Sequence, residues 1–202
     1  MNNLFGDKPG SAQAALFAIT GLTLLPEFIT RTQEAQLLKI IGEQTWSTDL
    51  KRRVQHYGYL YDYKARTVSE DNYLGTLPAW IDFAITRMSN LDIFSKSVDQ
   101  AIINEYLPGQ GIAPHIDCVP CFSGTIASLS LGSTCQMAFT QVETDDKAIL
   151  TLRPRSLLIL RDDARYKWRH AIPARKSDLI DGVRTPRDRR VSVTFRQVNR
   201  SL

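Results

Sequence analysis

Apolar and polar positions divide the chain into a first part with helical spacing and a second part of short alternating segments. Leu37, Leu38 and Ile41 recur at helical spacing behind a capping box formed by Thr30 and Gln33. A second apolar stripe follows Pro78. From residue 98 onward, alternating segments punctuated by Gly, Pro, Ser and Asp predict seven strands. They cover residues 101–107, 125–131, 136–141, 148–152, 156–160, 166–171 and 190–197.

This order predicts an α+β protein, mainly β, in which helices precede a sandwich or jelly roll. We expect residues 1–97 to hold the N-terminal helices and residues 98–202 to form the β core. A further strand is expected within residues 16–25, after a loose arm at residues 1–13. Residues 178–189 read as a charged loop.

Composition argues against a membrane protein. No apolar run approaches the ~20 residues that a membrane-spanning helix needs, and the N-terminus does not resemble a signal peptide. Three cysteines, an odd number, make a disulfide framework unexpected and favour the reducing cytoplasm. Cys118 and Cys121 form a C-x-x-C motif, which could be a zinc or redox pair or simply two small packing residues.

Charge is distributed unevenly along the sequence. The chain carries a net charge of +4, but residues 151–202 hold 14 Lys+Arg against 5 Asp+Glu, a balance of +9. A basic segment of this kind suits a polyanion such as nucleic acid. A solvated surface with a few structural arginines explains the same charge equally well.

Residues 104–117 contain the first candidate for chemistry, a His-x-Asp at the end of a short strand. Residues two apart in a strand point to the same side, so His115 and Asp117 would lie side by side. Two such ligands and one further histidine make the facial triad of non-haem Fe(II) oxygenases. His170, in a later predicted strand, is the candidate third ligand. The alternative for His170 is a hydrogen-bonded core histidine.

The last predicted strand decides between these alternatives. Its alternation puts Arg190, Ser192, Thr194 and Arg196 on one face and apolar residues on the other. Buried charges need partners, and guanidinium groups bind carboxylates bidentately. A small dicarboxylate is therefore expected there, and Asn104 and Tyr106 can add an amide and a hydroxyl group.

Residues 51–63 combine basic residues with four tyrosines and a histidine. Aromatic rings can stack on bases and arginines can meet phosphates. An amphipathic hairpin at a sheet edge would have a similar sequence. The candidate substrate contacts are Arg52, Arg53, His56, Tyr57, Tyr59 and Tyr61.

Taken together, these residues resemble the AlkB family of Fe(II)- and 2-oxoglutarate-dependent dioxygenases. The matching positions are Asn104-x-Tyr106, Pro108-Gly109, His115-x-Asp117, His170 and Arg190-x-Ser-x-Thr-Phe-Arg196. The resemblance implies a double-stranded β-helix with a nucleotide-recognition lid at about residues 52–63. It implies that His115, Asp117 and His170 hold Fe(II) and that O2 is consumed. It further implies that 2-oxoglutarate is bound by Asn104, Tyr106, Arg190, Ser192 and Arg196.

The resemblance also implies a reaction, namely oxidative dealkylation of damaged bases in DNA or RNA with release of aldehyde, succinate and CO2. The base would be single-stranded or flipped out of a duplex, and we expect a monomeric, cytoplasmic enzyme. One departure is the run Cys118-Val119-Pro120, where repair members often carry acidic residues. The chain also resembles a family member that hydroxylates a modified wobble uridine in tRNA, so tRNA modification is the alternative. A metal-bearing binding module without turnover is a third hypothesis.

Overall fold

Two antiparallel sheets form the framework of the computed structural model, which describes residues 19–48, 50–62, 65 and 67–199. The larger sheet has six strands in the order β1-β8-β5-β12-β3-β2, and the smaller has four in the order β4-β9-β6-β7. The strands of the larger sheet are β1 (Leu22–Leu25), β2 (Val54–Tyr57), β3 (Gln100–Tyr106), β5 (Ile126–Gly132), β8 (Leu157–Leu160) and β12 (Arg190–Arg196). Those of the smaller sheet are β4 (Ile112–His115), β6 (Cys135–Gln141), β7 (Lys147–Leu152) and β9 (Trp168–Ile172). The jelly-roll prediction is confirmed.

In the described part of the chain, three α-helices accompany the sheets: α1 (Arg31–Glu43), α2 (Asp82–Asn90) and α3 (Asp162–Tyr166). The predicted capping box of α1 is present, with reciprocal bonds between Thr30 and Gln33. Pro78 precedes a short 3-10 turn, Ala79–Ile81, that leads into α2. Buried residues of α1 and α2 pack on the outer face of the larger sheet. The part of the expected strand at residues 16–18 lies outside the described residues, as does the arm at residues 1–13.

Strand β12 shows how the sequence pattern places the site. Val191, Val193 and Phe195 are fully buried in the core that the larger sheet shares with the helices. The alternate residues, from Arg190 to Arg196, face the space between the two sheets and line its cavity. Because successive side chains of a strand point to opposite faces, this register fixes both the core and the site.

The N-terminal part of the chain also contributes to the β framework. β1 pairs with β8 and β2 pairs with β3, so both add strands to the larger sheet. The division of the chain at residues 97 and 98 stays a prediction. No helix within the described ranges is long and apolar enough to cross a membrane.

The expectation of a charged loop at residues 178–189 is wrong, because most of this segment is a β-hairpin. Strand β10 (Ser177–Ile180) pairs with β11 (Val183–Pro186). Asp181 and Gly182 connect them with φ angles of 50° and 80°. Asp-Gly is a favoured sequence for a two-residue hairpin turn with two positive φ angles. The Asp181-Gly182 dipeptide was the sequence signal for this turn, but the charged residues around it favoured the interpretation as a loop.

A buried carboxylate anchors this hairpin. Asp178 has a side chain that is 1% exposed and accepts hydrogen bonds from Arg175 and Arg187 at 2.6–2.9 Å. It also accepts from the backbone N–H of Gln136 on β6. The hairpin is thereby tied to the smaller sheet.

We predict that Asp178→Ala lowers the free energy of unfolding by about 3 kcal/mol, because two guanidinium groups lose their buried partner. Urea denaturation measures this difference. Asp181→Asn is the matched control: it keeps a residue that tolerates the positive φ of the turn, and the ion pair with Arg153 that it removes is 82% exposed on the aspartate side, so the loss should cost no more than about 0.5 kcal/mol. Equal effects of the two substitutions would contradict the anchoring role.

The same ion cluster predicts a pH dependence. Burial alone would raise the pKa of Asp178, but the bonds from Arg187 and Arg175 outweigh it and lower the pKa. A carboxyl group with a lowered folded-state pKa contributes stability above its unfolded pKa, near 3.9, and loses it as the pH falls through the folded value. The difference between wild type and Asp178→Ala should therefore be full at pH 7 and shrink below about pH 4.

Candidate active site

Three candidate metal ligands converge where β4 meets β9. His115, the last residue of β4, lies directly opposite His170 of β9, and their ring centroids are 4.4 Å apart. Asp117 lies in the loop just beyond β4, not in the strand as the sequence suggested, and its Oδ2 is 3.5 Å from Nε2 of His170. Ligand atoms of the three residues lie within 4.8 Å of one another. This spacing suits one metal ion with coordination positions left open on its far side.

The hydrogen bonding of His115 and the charge states of His170 and Asp117 also suit a metal. Nδ1 of His115 lies 2.8 Å from the carbonyl oxygen of Ala113; with the proton on Nδ1, Nε2 keeps its lone pair for a metal. Burial, followed by the nearby His115, lowers the pKa of His170 to about 4, so the ring is neutral at pH 7. Burial would raise the pKa of Asp117, but the charge of Arg196 and the neighbouring histidines hold it well below its usual range. Metal binding needs these neutral and ionised forms.

Two arginines occupy the ends of the polar face of β12; Arg190 is buried and the side chain of Arg196 is 11% exposed. Arg196 donates from Nη2 to Oδ1 of Asp117 and covers the ring of Phe122 at 4.7 Å. Arg190 is 2% exposed, donates from Nη2 to Oγ of Ser130 at 3.0 Å and lies 5.3 Å from the ring centroid of Tyr106. One arginine is therefore next to the candidate metal ligands, and the other is six residues away along the strand.

The remaining predicted cofactor contacts lie on the same sheet face. Ser192 is opposite Asn104 and Ser130 in the register of the sheet, and both Asn104 and Ser192 line the cavity. Burial raises the pKa of Tyr106, so its hydroxyl stays protonated and can donate a hydrogen bond. Oδ1 of Asn104 accepts from Nε of Arg52 at 2.8 Å. The structure thus brings all five predicted residues to one cavity wall.

Unused donors indicate what this wall binds. Nε and Nη1 of Arg190 and Nε of Arg196 are buried, and no residue in the described part of the chain accepts a hydrogen bond from them. A buried guanidinium without acceptors is costly. The oxygens of a carboxylate are strong acceptors for such guanidinium N–H groups. The donor set therefore fits a small dicarboxylate.

The cavity between the sheets has a volume of about 520 Å³. It is in the usual range for small-molecule sites. Apolar side chains from both sheets complete the cavity wall: Ile102, Ile112, Ile126, Met137, Leu158, Leu160 and Ile172. The sequence identified these residues only as strand core. Two further residues line the cavity: Leu50, which precedes the basic and aromatic stretch, and Lys51, which begins that stretch but was not among the candidate substrate contacts.

The predicted lid contributes only part of its basic and aromatic residues to the cavity. Arg52 and Tyr61 line it, and the ring of Tyr61 lies 5.9 Å from that of Phe122. Arg53 instead binds the buried carboxylate of Glu105 at 2.6 Å. Arg52 and Arg53 are neighbours, so the alternation of extended backbone sends them to opposite sides.

The other lid residues lie away from the cavity lining. Tyr57 shares the helix-facing side of β2 with Gln55 and meets Trp80 edge to face at 5.5 Å. His56 lies opposite Ile102 at the outer edge of the larger sheet. Tyr59 is 3% exposed and donates its hydroxyl to Glu70. Part of the lid sequence is therefore a strand at a sheet edge, as the alternative interpretation had it, but this strand pairs with β3 and not with a second strand of residues 51–63.

Cys118 and Cys121 correct the sequence expectation, because they are joined by a disulfide bond. A tight turn, with the N–H of Phe122 bonded to the carbonyl of Cys118, brings their Cα atoms to 5.2 Å. An odd cysteine count argues against a framework of disulfides but not against one bond across a turn. Cys135 is free and buried.

Known proteins are similar in sequence to this chain over most of its length. Residues 21–196 match the model of the 2OG-Fe(II) oxygenase superfamily. The Arabidopsis thaliana alkylated DNA repair protein ALKBH8 homolog is 40% identical over 89% of the chain. The chain belongs to the AlkB family of 2OG-Fe(II) oxygenases. It spans 59% of the Arabidopsis relative and 31% of the mouse tRNA (carboxymethyluridine(34)-5-O)-methyltransferase ALKBH8, to which it is 35% identical over 89% of its length.

The solved structure of OsALKBH1 matches this AlkB-family fold, with a TM-score of 0.64 and 18% identity over 88% of the chain and 96% of that structure. The protein is a dioxygenase that uses Fe(II), 2-oxoglutarate and O2. The triad of His115, Asp117 and His170 is able to bind the metal. The donors on β12 fit the co-substrate.

We predict that His115→Ala and Asp117→Asn each abolish binding of one Fe(II) per chain. Each substitution removes one of three ligands or its charge. Equilibrium dialysis under anaerobic conditions measures the bound metal, and circular dichroism checks that the fold persists. His56→Ala is the matched control, because His56 lies outside the cavity lining. Full Fe(II) binding by either ligand variant would show that the metal lies elsewhere.

We predict that Arg190→Met raises the KM for 2-oxoglutarate about 10- to 150-fold with a smaller change in kcat, since a buried charge-assisted bond contributes about 1.5–3 kcal/mol. Succinate formation at varied 2-oxoglutarate concentrations measures both constants. Arg189→Met is the control, because its guanidinium turns to the opposite side and binds Glu105 at 2.7 Å. An unchanged KM in Arg190→Met would move the carboxylate contact to another residue.

Proposed function

We propose that this dioxygenase oxidises a carbon substituent on a nucleobase of single-stranded or flipped-out nucleic acid. The observation that carries the proposal is that Lys51, Arg52 and Tyr61 line the same cavity as the metal ligands, with Lys51 exposed and the other two half-buried. Cationic side chains attract the phosphate backbone, and a tyrosine ring offers a stacking surface for a base. A base stacked in a duplex could not reach ligands buried between two sheets.

Bound iron and 2-oxoglutarate activate O2 for insertion of one oxygen atom into a substrate C–H bond. The chain's own part is to hold and orient these reactants. Arg190, with Tyr106 and Ser192, would bind the distal carboxylate of 2-oxoglutarate, and Asn104 would bind near the metal-chelating end. Arg196 fixes one oxygen of Asp117 and leaves the other to the metal. The apolar wall excludes water from the reacting carbon.

The position of the oxidised carbon decides the product. A hydroxyl group placed on a carbon attached to a ring nitrogen gives a hemiaminal, which releases an aldehyde and the unmodified base. A hydroxyl group placed on a side chain attached to a ring carbon stays as a stable product. Oxidative dealkylation and tRNA modification are thus two outcomes of one oxidation.

The charge of the cavity favours tRNA uridine modification. Its described lining holds four cationic residues, Lys51, Arg52, Arg190 and Arg196, and one carboxylate, Asp117. Iron and 2-oxoglutarate cancel each other's charge, so a surplus of three positive charges remains. Bases alkylated at a ring nitrogen of adenine or cytosine are cations and would be repelled. Uridine is neutral, and the carboxymethyluridine in the name of the mouse relative carries a negative side chain.

Oxidative dealkylation of DNA or RNA is the second candidate. The Arabidopsis relative, at 40% identity, is named as an alkylated DNA repair protein. Neutral N-alkylated bases would also fit a cavity of this charge. A cytoplasmic location and a monomeric state stay predictions for either candidate.

Mass spectrometry of the products distinguishes the candidates. The enzyme with Fe(II) and 2-oxoglutarate is incubated with tRNA carrying carboxymethylated uridine and with N-alkylated DNA and RNA oligonucleotides. A nucleoside with one added oxygen supports tRNA modification, whereas aldehyde and unmodified base support dealkylation. Succinate production without change in any nucleic acid would contradict both, and no succinate at all would favour the metal-bearing binding module.

We predict that Tyr61→Ala raises the KM for the nucleic-acid substrate about 5- to 150-fold, since stacking on an aromatic ring contributes about 1–3 kcal/mol per base. The KM for 2-oxoglutarate should stay unchanged. Tyr73→Ala is the matched control, because Tyr73 is 50% exposed yet outside the cavity lining. Equal effects of the two variants would remove Tyr61 from the binding surface.

A further inference from the structure

Arg165 is a buried cation that the cavity does not use. It lies in the short helix α3, is 2% exposed and heads the fully buried side chains in size. It is absent from the described cavity lining. Enclosing a guanidinium is expensive, and an apolar side chain of similar volume would often stabilise a core as well or better. Its presence therefore calls for a role besides filling space.

Among the described residues, the hydrogen-bond acceptors of this guanidinium all belong to one loop. Nη1 donates to the carbonyl of Asp117 at 2.9 Å, and Nε donates to that of Ser123 at 3.3 Å. Nη2 donates to the carbonyls of Cys118 and Phe122, both at 3.3 Å. The acceptors come from the start and the end of residues 117–123. Arg165 therefore closes this loop from the inside.

The loop needs such support because it lies between strands. It leaves β4 after His115 and carries Asp117 outside the ladder of the smaller sheet. Its other described ties include the disulfide, bonds that join Ser123, Cys121 and Pro120 to Gln197 and Asn199, the bridge between Phe122 and Val198, and the bond from Arg196 to the carboxylate of Asp117. Arg196 holds the side chain of Asp117, whereas Arg165 holds its main-chain carbonyl; the remaining ties lie at Cys118 or beyond.

Arg165 also connects two metal ligands that are distant in sequence. It precedes His170 by five residues, and α3 runs directly into β9, which carries that histidine. Asp117 precedes Arg165 by 48 residues in the chain. The bond from Nη1 to the carbonyl of Asp117 is thus a direct link between the segments that present the two ligands.

We propose that Arg165 is a positioning residue, which holds the Asp117 loop against the segment that carries His170 and so fixes the distance between two metal ligands. A fixed distance lowers the ordering cost of metal binding. Residues that orient metal ligands typically change metal affinity 10- to 100-fold when they are replaced. The role concerns the metal centre and is independent of which nucleic acid is oxidised.

Two substitutions separate position from charge. Arg165→Met removes both the charge and the donors. Arg165→Lys keeps a positive charge near Asp117. Its ammonium group, however, has three donors on one atom and cannot bond all four carbonyls that the planar guanidinium group reaches. Asp178→Ala is the control, because it removes a buried ion pair of the β10–β11 hairpin, outside this loop.

Binding of Mn(II) to the metal-free protein measures the effect without turnover. Free Mn(II) is quantified by electron paramagnetic resonance well below the unfolding temperature. We expect Arg165→Met and Arg165→Lys both to weaken binding about 10- to 100-fold, with Asp178→Ala unchanged. Wild-type affinity in Arg165→Lys would assign the effect to charge, and wild-type affinity in both variants would reject any role at the metal centre.

A measurement on the wild-type protein covers the case in which the variants do not fold. Coupling between two sites is reciprocal, so a loop that aids metal binding must itself be stabilised by the metal. Addition of Zn(II), a diamagnetic probe, should slow hydrogen exchange of the Arg165 Nε–H and of the Phe122 and Ser123 amides in NMR spectra. The backbone amides of Asp178 and Leu179 should exchange at an unchanged rate. Unaltered exchange at Arg165 would falsify the proposal.

Discussion

The alternation of β12 is the constraint on which the rest of the structure depends. This strand lies between β3 and β5, so its two faces belong to two different environments. One face, with Val191, Val193 and Phe195, is covered by the helices, and the other faces the cavity. A shift of register by one residue would place two guanidinium groups in the apolar core and three apolar side chains in the cavity. The fold and the site are therefore specified by the same seven residues.

Because the same alternation specifies the core and the site, much of both could be predicted from the sequence. Strands with one apolar and one polar face carry a period of two, and the seven predicted strands lie within one or two residues of the observed ones. The convergence of His115, Asp117 and His170 was also predictable, because residues two apart in a strand point to the same side and a jelly roll can bring a later strand opposite an earlier one. Arg190 and Arg196 were recognisable because charged residues are rare inside an alternating strand.

The misplaced expectations have physical reasons of two kinds. In residues 51–63, composition identified basic and aromatic side chains. Because successive side chains point to opposite sides, some of them face the cavity and others face the helices. Arg53, for example, neutralises the buried Glu105. The hairpin at Asp178 and the disulfide at Cys118 depend on local turns, whose short signals are masked by neighbouring charges or by cysteine count. Arg165 has no sequence signal, since its partners are backbone carbonyls, which every residue possesses.

The cavity combines groups that would be unfavourable together in an ordinary core. Asp117 keeps its charge although it is buried, because Arg196 and the two histidines outweigh the cost of desolvation. Arg190 and Arg196 hold buried donors that no described residue satisfies. Such an arrangement lowers the stability of the protein alone, and ligands that supply a dication and a dianion recover it by mass action. The co-substrate and the metal should therefore contribute to folding stability as well as to catalysis, since the same charges serve both.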